Sequence, residues 1–162
     1  MATCIKPRIP LHTVMPQNVL LVAEDDTNDA LLLERALRRA GSPFRMIRVS
    51  DGKEVIDYVQ GNGAYGNRVL HPAPKVILLD LKMPRTDGFA VLHWRLQTPG
   101  GTALPVVVFS SSSLPQDIRR AYQLGANSYV VKPTAPDRLE PMVRALHDWW
   151  IGFNATSAGL PA

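Results

Sequence analysis

Cys4 is the only cysteine in the chain, so no disulfide can close within it and no cysteine cluster can hold a metal. No apolar run approaches the roughly 18 residues that a membrane-spanning helix needs. The opening stretch MATCIKPRIPLHTVMPQN carries two basic groups, three prolines and no continuous apolar segment, which is the wrong pattern for a secretory leader. Membrane and secretory classes are therefore set aside, and the expected location is the cytoplasm. Asn154-Ala155-Thr156 has the form of a glycosylation acceptor, but that matters only after secretion. The histidines, His12, His71, His93 and His147, are dispersed without metal-ligand spacing. A net charge of +4 permits phosphate contacts. The arginines are scattered, however, with no interleaved aromatics on which bases would stack, so nucleic acid is not an expected partner.

What the chain does have is the composition of a single globular domain: 162 residues, 46% hydrophobic and 20% charged. Five short apolar runs recur: Val19 to Ala23, Phe44 to Val49, Val76 to Leu79, Val106 to Phe109 and Tyr129 to Val131. Four are apolar throughout, the pattern of parallel strands covered on both faces, and the second, with Arg45 and Arg48 inside it, reads as an edge. Each run is followed by a segment with helical spacing. The first helix begins near Asp26 or Thr27 and stops at Gly41. The second runs from about Asp51 to Gln60. The third passes from Asp87 through Phe89, Leu92 and Leu96 to the Pro99-Gly100-Gly101 breaker, and the fourth follows Pro115, with Ile118, Ala121, Tyr122 and Leu124 on one side. The last is strongly amphipathic, with Leu139, Met142, Val143, Leu146, Trp149, Trp150 and Phe153 three or four residues apart or adjacent. Strand and helix alternating five times predicts an α/β fold, a doubly wound parallel sheet with helices on both faces. The domain is expected over 18–153, with tails at 1–17 and 154–162 and a long loop from Gly61 to Pro74.

The acids fall in particular places. Glu24, Asp25 and Asp26 follow the first strand and Asp80 follows the third, all at carboxyl ends of parallel strands, the edge where open α/β sheets bind ligands. If those strands are neighbours, the carboxylates meet. Together they repel unless a cation neutralises them, and an oxygen-rich site favours Mg²⁺ or Ca²⁺. Lys132 reaches the same edge after the fifth strand and Ser110 after the fourth. Carboxylates, a divalent metal, a lysine and a hydroxyl can jointly neutralise a phosphoryl group in transfer to a carboxylate, with Asp80 as the nucleophile. Gly61 to Gly66 matches G-x-G-x-x-G, but a helix precedes it and a proline-broken loop follows, so it is not a dinucleotide fingerprint.

Val22-Ala23-Glu24-Asp25-Asp26, Leu78 to Pro84 with Asp87-Gly88, Ser110, Gly125-Ala126 and Tyr129 to Pro133 occur in the order of the signatures of bacterial response-regulator receiver domains. Over roughly 18 to 150 the chain resembles that family. Gly125 to Tyr129, with the aromatic last helix, is most similar to the stand-alone regulators that partner bacterial phytochrome kinases. The resemblance implies a flavodoxin-like sheet of order 2-1-3-4-5. It implies Asp80 as phosphoacceptor, with Mg²⁺ held by Asp25, its acidic neighbour Glu24, Asp80 and the backbone carbonyl of Lys82. It also implies Ser110 as switch hydroxyl, Tyr129 as switch aromatic, Lys132 as the contact to phosphoryl oxygens, and a sensor histidine kinase as partner. Asp26 is an added acid that could simply cap the helix. The expected protein is thus a signalling phosphoacceptor rather than an enzyme. Two rivals stand beside it: a pseudo-receiver that binds partners without phosphorylation, and an aspartyl-nucleophile phosphohydrolase. The second needs an acid two residues after the nucleophile, where this chain has Lys82. Because Trp149 and Trp150 point about 100° apart on a helix, at least one ring should be exposed, and the face of the fourth helix, fifth strand and fifth helix is expected to form a homodimer.

Overall fold

The computed structural model describes residues 18–155; Cys4, the expected tail at 1–17 and the last seven residues lie outside them. Five strands, β1 (Val19–Ala23), β2 (Arg45–Val49), β3 (Val76–Leu79), β4 (Val106–Ser110) and β5 (Ser128–Val131), pair in parallel in the order β2-β1-β3-β4-β5. The switch in strand order falls between β1 and β3, whose registers pair Ala23 with Leu79. The residues that follow, Glu24 and Asp80, therefore emerge side by side.

Alternation along the strands builds two cores. Leu20, Val22, Leu78, Val107 and Phe109 face α1 (Thr27–Arg39) and α5 (Leu139–His147), while Leu21, Ala23, Ile77, Leu79 and Val108 face α2 (Gly52–Gln60), α3 (Gly88–Gln97) and α4 (Pro115–Gln123). Covering both faces is why β1, β3 and β4 carry no polar position before their ends, and each fully buried Val or Leu side chain contributes about 1.5–3 kcal/mol. β5 departs from the expectation of full burial: it is the second edge of the sheet, its residues are half-buried and Val131 is exposed. Closing the sheet on only one side of β5 leaves nothing to cover its outer flank.

The first three helices start where side chains cap them, whereas α4 starts on Pro115 and α5 without a side-chain cap. Asp26 accepts from the backbone N–H groups of Asn28 and Asp29, Asp51 from Glu54 and Asp87 from Ala90. In α3 the buried positions are Val91, Leu92 and Arg95, and Leu96 is exposed, as is Tyr122 of α4. In α3 Arg95 takes an interior place that the apolar pattern gave to Leu96, whereas α4 keeps Ala121 inside and only Tyr122 turns outward. After α5 the chain widens into a π-type turn over Asp148–Phe153. That turn sends Trp150 into the core beside α1 and α5, while Trp149 and Phe153 stay 56% and 80% exposed. The two adjacent rings thus separate as the helical geometry demands.

The segment 61–74 is pinned rather than loose. Arg68 donates to the carbonyls of Tyr58, Val59 and His71, and the His71 ring packs edge to face with those of Tyr58 and Tyr65, which are tilted to each other by 57°. Gly61 ends α2 with a φ of 74°, and the following Gly63–Tyr65 is a single 3-10 turn, so no helix N-terminus faces the glycines as a dinucleotide site would need.

Candidate functional site

At the carboxyl end of the sheet the loops after β1, β3 and β5 converge on one ammonium group. Lys132 Nζ donates to Glu24 Oε2 at 2.6 Å, to Asp80 Oδ2 at 2.9 Å and to Asp29 Oδ2 at 3.0 Å. Glu24 and Asp80 are buried and the lysine side chain is only 14% exposed. Burial works against the charge on Lys132, but the bonds it donates to Glu24, Asp80 and Asp29 outweigh it and hold the ammonium well above the ordinary lysine range. Burial pushes Glu24 above the usual carboxylate value; its bond from Lys132 opposes that rise and the charge of Asp80 adds to it.

One oxygen from each of Glu24, Asp25 and Asp80 lies within 4.8 Å of the others. Three hard oxygen donors at that separation, two buried and one exposed, fit a small divalent cation with room left for water or phosphate oxygens. Asp80 is further fixed by the neighbouring strand β1 and by its own loop. Its backbone N–H donates to Ala23 at 3.0 Å and its Oδ1 accepts from Lys82 N–H at 3.2 Å. The tight approach of α3 explains the glycine at 88: a Cβ there would sit 2.3 Å from the Asp80 carbonyl oxygen. Asp26, beside this cluster, spends its carboxylate on capping α1.

The remaining expected residues lie on β4 and β5. Ser110, at the end of β4, is fully buried, and its hydroxyl accepts from Ser112 N–H at 3.4 Å. The Tyr129 ring is turned inward, its hydroxyl donating to the Ser112 carbonyl at 2.9 Å, so the loop after β4 is tied to β5. Burial raises the Tyr129 phenol above its ordinary value, and it stays protonated as a donor.

Three contributors were not visible in the sequence. Asp29 reads as a favourable first-turn acid of α1, yet it is the third carboxylate on Lys132. Arg48 looks like a mark of an edge strand, yet it reaches back to the loop after β1. Asp51 is buried and paired with Arg85, whose φ of 63° is in the left-handed region that non-glycine residues rarely adopt. With Gly52 N–H donating to Thr86 O at 2.9 Å, that pair fastens the loop carrying Asp80 to the start of α2. A positive φ at a non-glycine position has no sequence signature, and the other partners are distant along the chain.

Known proteins resemble this chain in sequence and fold. FilR2 of Methanothrix harundinacea, a probable methanogenesis regulatory protein, is 35% identical over 136 residues, 84% of this chain and 85% of its own. Response regulator Rcp1 of Synechocystis is 32% identical over 136 residues, 84% of this chain and 90% of its own. The crystal structure of the Mn²⁺-bound form of Rcp1 matches with a TM-score of 0.76 at 31% identity, covering 90% of this chain and 99% of that one. The response regulator RPA3017, in red light signalling of R. palustris, matches with a TM-score of 0.81 at 34% identity, covering 85% of this chain and 96% of that one. The phosphorylated cyanobacterial phytochrome response regulator RcpA matches with a TM-score of 0.79 at 30% identity, covering 87% and 99%. Residues 20–144 match the response regulator receiver domain. With that match spanning most of the chain, the 2-1-3-4-5 sheet and an acid cluster gathered at its switch point, the chain belongs to the response regulator receiver domain family, among relatives that include phytochrome-associated regulators.

Proposed function

We propose that this chain is a phosphoacceptor switch: Asp80 takes a phosphoryl group from a sensor histidine kinase, of the bacterial phytochrome class, and the change is read by protein partners in the cytoplasm. The observation that carries the reading is the meeting of Lys132 Nζ with Asp80 Oδ2 at 2.9 Å beside a trio of carboxylates whose oxygens lie within 4.8 Å. Glu24, Asp25, Asp80 and the Lys82 backbone carbonyl would hold Mg²⁺, which offsets the repulsion between these carboxylates and an incoming phosphoryl anion. An Asp80 carboxylate oxygen forms the new bond to phosphorus while the bond to the donor imidazole nitrogen breaks. Lys132, freed from part of its carboxylate set, follows the new charge, and its ammonium is already protonated for that role. Phosphorylation and its hydrolytic loss are the only reactions assigned to the chain. The phosphorylated and Mn²⁺-bound states of RcpA and Rcp1 support the acceptor and metal assignments.

Ser110 and Tyr129 carry the response. The buried Ser110 hydroxyl is placed to turn toward a phosphoryl oxygen, and Tyr129 is already bonded to the loop after β4 that would move with it. A local charge change thus biases a two-state surface element. The surface in question is α4, β5 and α5, for which a homodimer is proposed: Trp149 and Phe153 remain exposed at its end, next to a groove of about 430 Å³ lined by Val130, Met142 and Trp149. Trp150 supports the core instead, so Trp149 is the residue that tests contact. Trp149→Ala should lower the dimer fraction seen by light scattering at micromolar concentration; a wild-type monomer in both phosphorylation states would remove the dimer.

Acetyl phosphate with Mg²⁺ should add one phosphoryl mass to the wild-type chain and none to Asp80→Asn. The same mass on Asp80→Asn would defeat the assignment.

A further inference from the structure

We propose that Arg48 is a positioning residue for the metal, a brace on β2 that sets the acidic loop from outside the site. Its three guanidinium nitrogens are spent on one short loop: Nε donates to the Glu24 carbonyl at 2.9 Å, a terminal nitrogen to the Asp25 carbonyl at 2.7 Å, and the other to Thr27 Oγ1 at 3.2 Å. This is the stretch where β1 stops pairing and α1 has not begun, and Glu24 N–H to the Val49 carbonyl at 3.0 Å is the last ladder bond. Beyond it the loop's carbonyls would otherwise turn to water.

The two acids differ in how they are held. Glu24 is buried, with its carboxylate bonded to Lys132 and to Asp26 N–H. Asp25 is exposed, and among the described residues no hydrogen bond reaches its carboxylate. The direction of that carboxylate is therefore set through the Asp25 backbone, and Arg48 donates to that backbone's carbonyl. The guanidinium points at carbonyls rather than at carboxylates, so it orders the loop without occupying a metal-binding oxygen. A planar fork with several fixed donors suits this task and an ammonium does not. The role rests on the metal assignment above, with Asp25 as a ligand.

Outer partners that orient metal ligands typically alter affinity by about 10–100-fold when removed. The test is a Mn²⁺ titration of the full chain, reading free Mn²⁺ by electron paramagnetic resonance, with urea midpoints measured alongside. Arg48→Met should weaken Mn²⁺ binding about tenfold, and Arg48→Lys, which keeps the charge and loses the fork, should recover less than half of that loss on a logarithmic scale. Wild-type affinity in Arg48→Met, or full recovery in Arg48→Lys, overturns the brace. If Arg48→Met lowers the urea midpoint, Thr27→Val, which removes one of the three contacts while leaving the guanidinium, must still weaken Mn²⁺ binding; an unchanged affinity there overturns it as well. Asp25→Asn separates the two readings: if it binds Mn²⁺ like wild type, the metal assignment fails, whereas lost binding in Asp25→Asn with normal binding in Arg48→Met fails the brace alone.

Discussion

Among the described residues, each end of the sheet draws a cation inward, and the two are held in opposite ways. At the carboxyl end Lys132 is surrounded by Glu24, Asp80 and Asp29, three carboxylates drawn from two loops and a helix. At the amino end Arg95 is 3% exposed and donates to the carbonyls of Leu104, Thr102 and Gly125 and to Asn127 Oδ1, with no carboxylate among its described partners. Carbonyl dipoles fixed in turns cannot leave, so Arg95 rivets α3 to the starts of β4 and β5. On the proposed reading these carboxylates also serve a metal and can exchange partners, so Lys132 would be held tightly in a set that can rearrange. The difference separates a structural cation from one that the proposed function makes available for signalling, though both are largely withdrawn from water, which alone would penalise them.

Removing each cation should break the comparison in a characteristic way. Arg95→Met removes four part-buried hydrogen bonds, and at about 0.5–1.5 kcal/mol for each the loss should be roughly 3 kcal/mol. Urea unfolding should show it whether or not Mg²⁺ is present, while acetyl phosphate should still modify the folded fraction. Lys132→Met should instead slow that modification about 100-fold, the usual scale for one lost donor to a developing anion. Its smaller stability loss should be recovered by millimolar Mg²⁺, since a divalent cation can replace the missing charge. Equal Mg²⁺ rescue of both variants would erase the distinction.

A smaller effect sharpens the comparison by pH. The bond from Glu54 N–H and the pairing with Arg85 outweigh burial and hold Asp51 below its ordinary value. Its contribution is therefore complete above the ordinary aspartate range and is lost as pH falls through the lowered folded value. Glu24, held above its ordinary value chiefly by burial, has the opposite sign: its contribution is present below the ordinary glutamate range and is lost as pH rises through the raised folded value. Asp51→Asn should cost about 1 kcal/mol at neutral pH and converge with wild type in acid. Thermal unfolding of both proteins from pH 7 to pH 3 checks the sign, and a gap that widens in acid would contradict it. The smallest change in stability is expected for Ser110→Ala, which should accept phosphate on Asp80 but lose the phosphorylation-dependent change in Tyr129 ring environment, followed by tyrosine side-chain resonances.

The residues of the acid edge were legible because parallel strands place their carboxyl-end neighbours together. Once the runs at Val19 and Val76 are read as adjacent strands, Glu24, Asp25 and Asp80 must converge, and the fifth run carries Lys132 to the same edge. The braces around them were not legible. Arg48 lies 24 residues from Glu24, Arg85 lies 34 from Asp51, and Asp29 lies 103 from Lys132. Nothing local distinguishes these side chains from solvated surface charge. Arg95 is the sharpest case, since a charged residue in a helix reads as exposed and its burial depends on four oxygens gathered from other turns.

The sequence by itself determined the strand and helix order, the carboxyl-end placement of the acids and the lysine, and the exposure of one of two adjacent tryptophans, because each follows from periodicity along a single element. Only the tertiary structure decided which tryptophan is buried, that Val131 of β5 is exposed, and which charged side chains turn inward to hold the site. Those outcomes depend on which groups from distant segments can satisfy one another's hydrogen bonds in space, a condition that periodicity along one element does not encode.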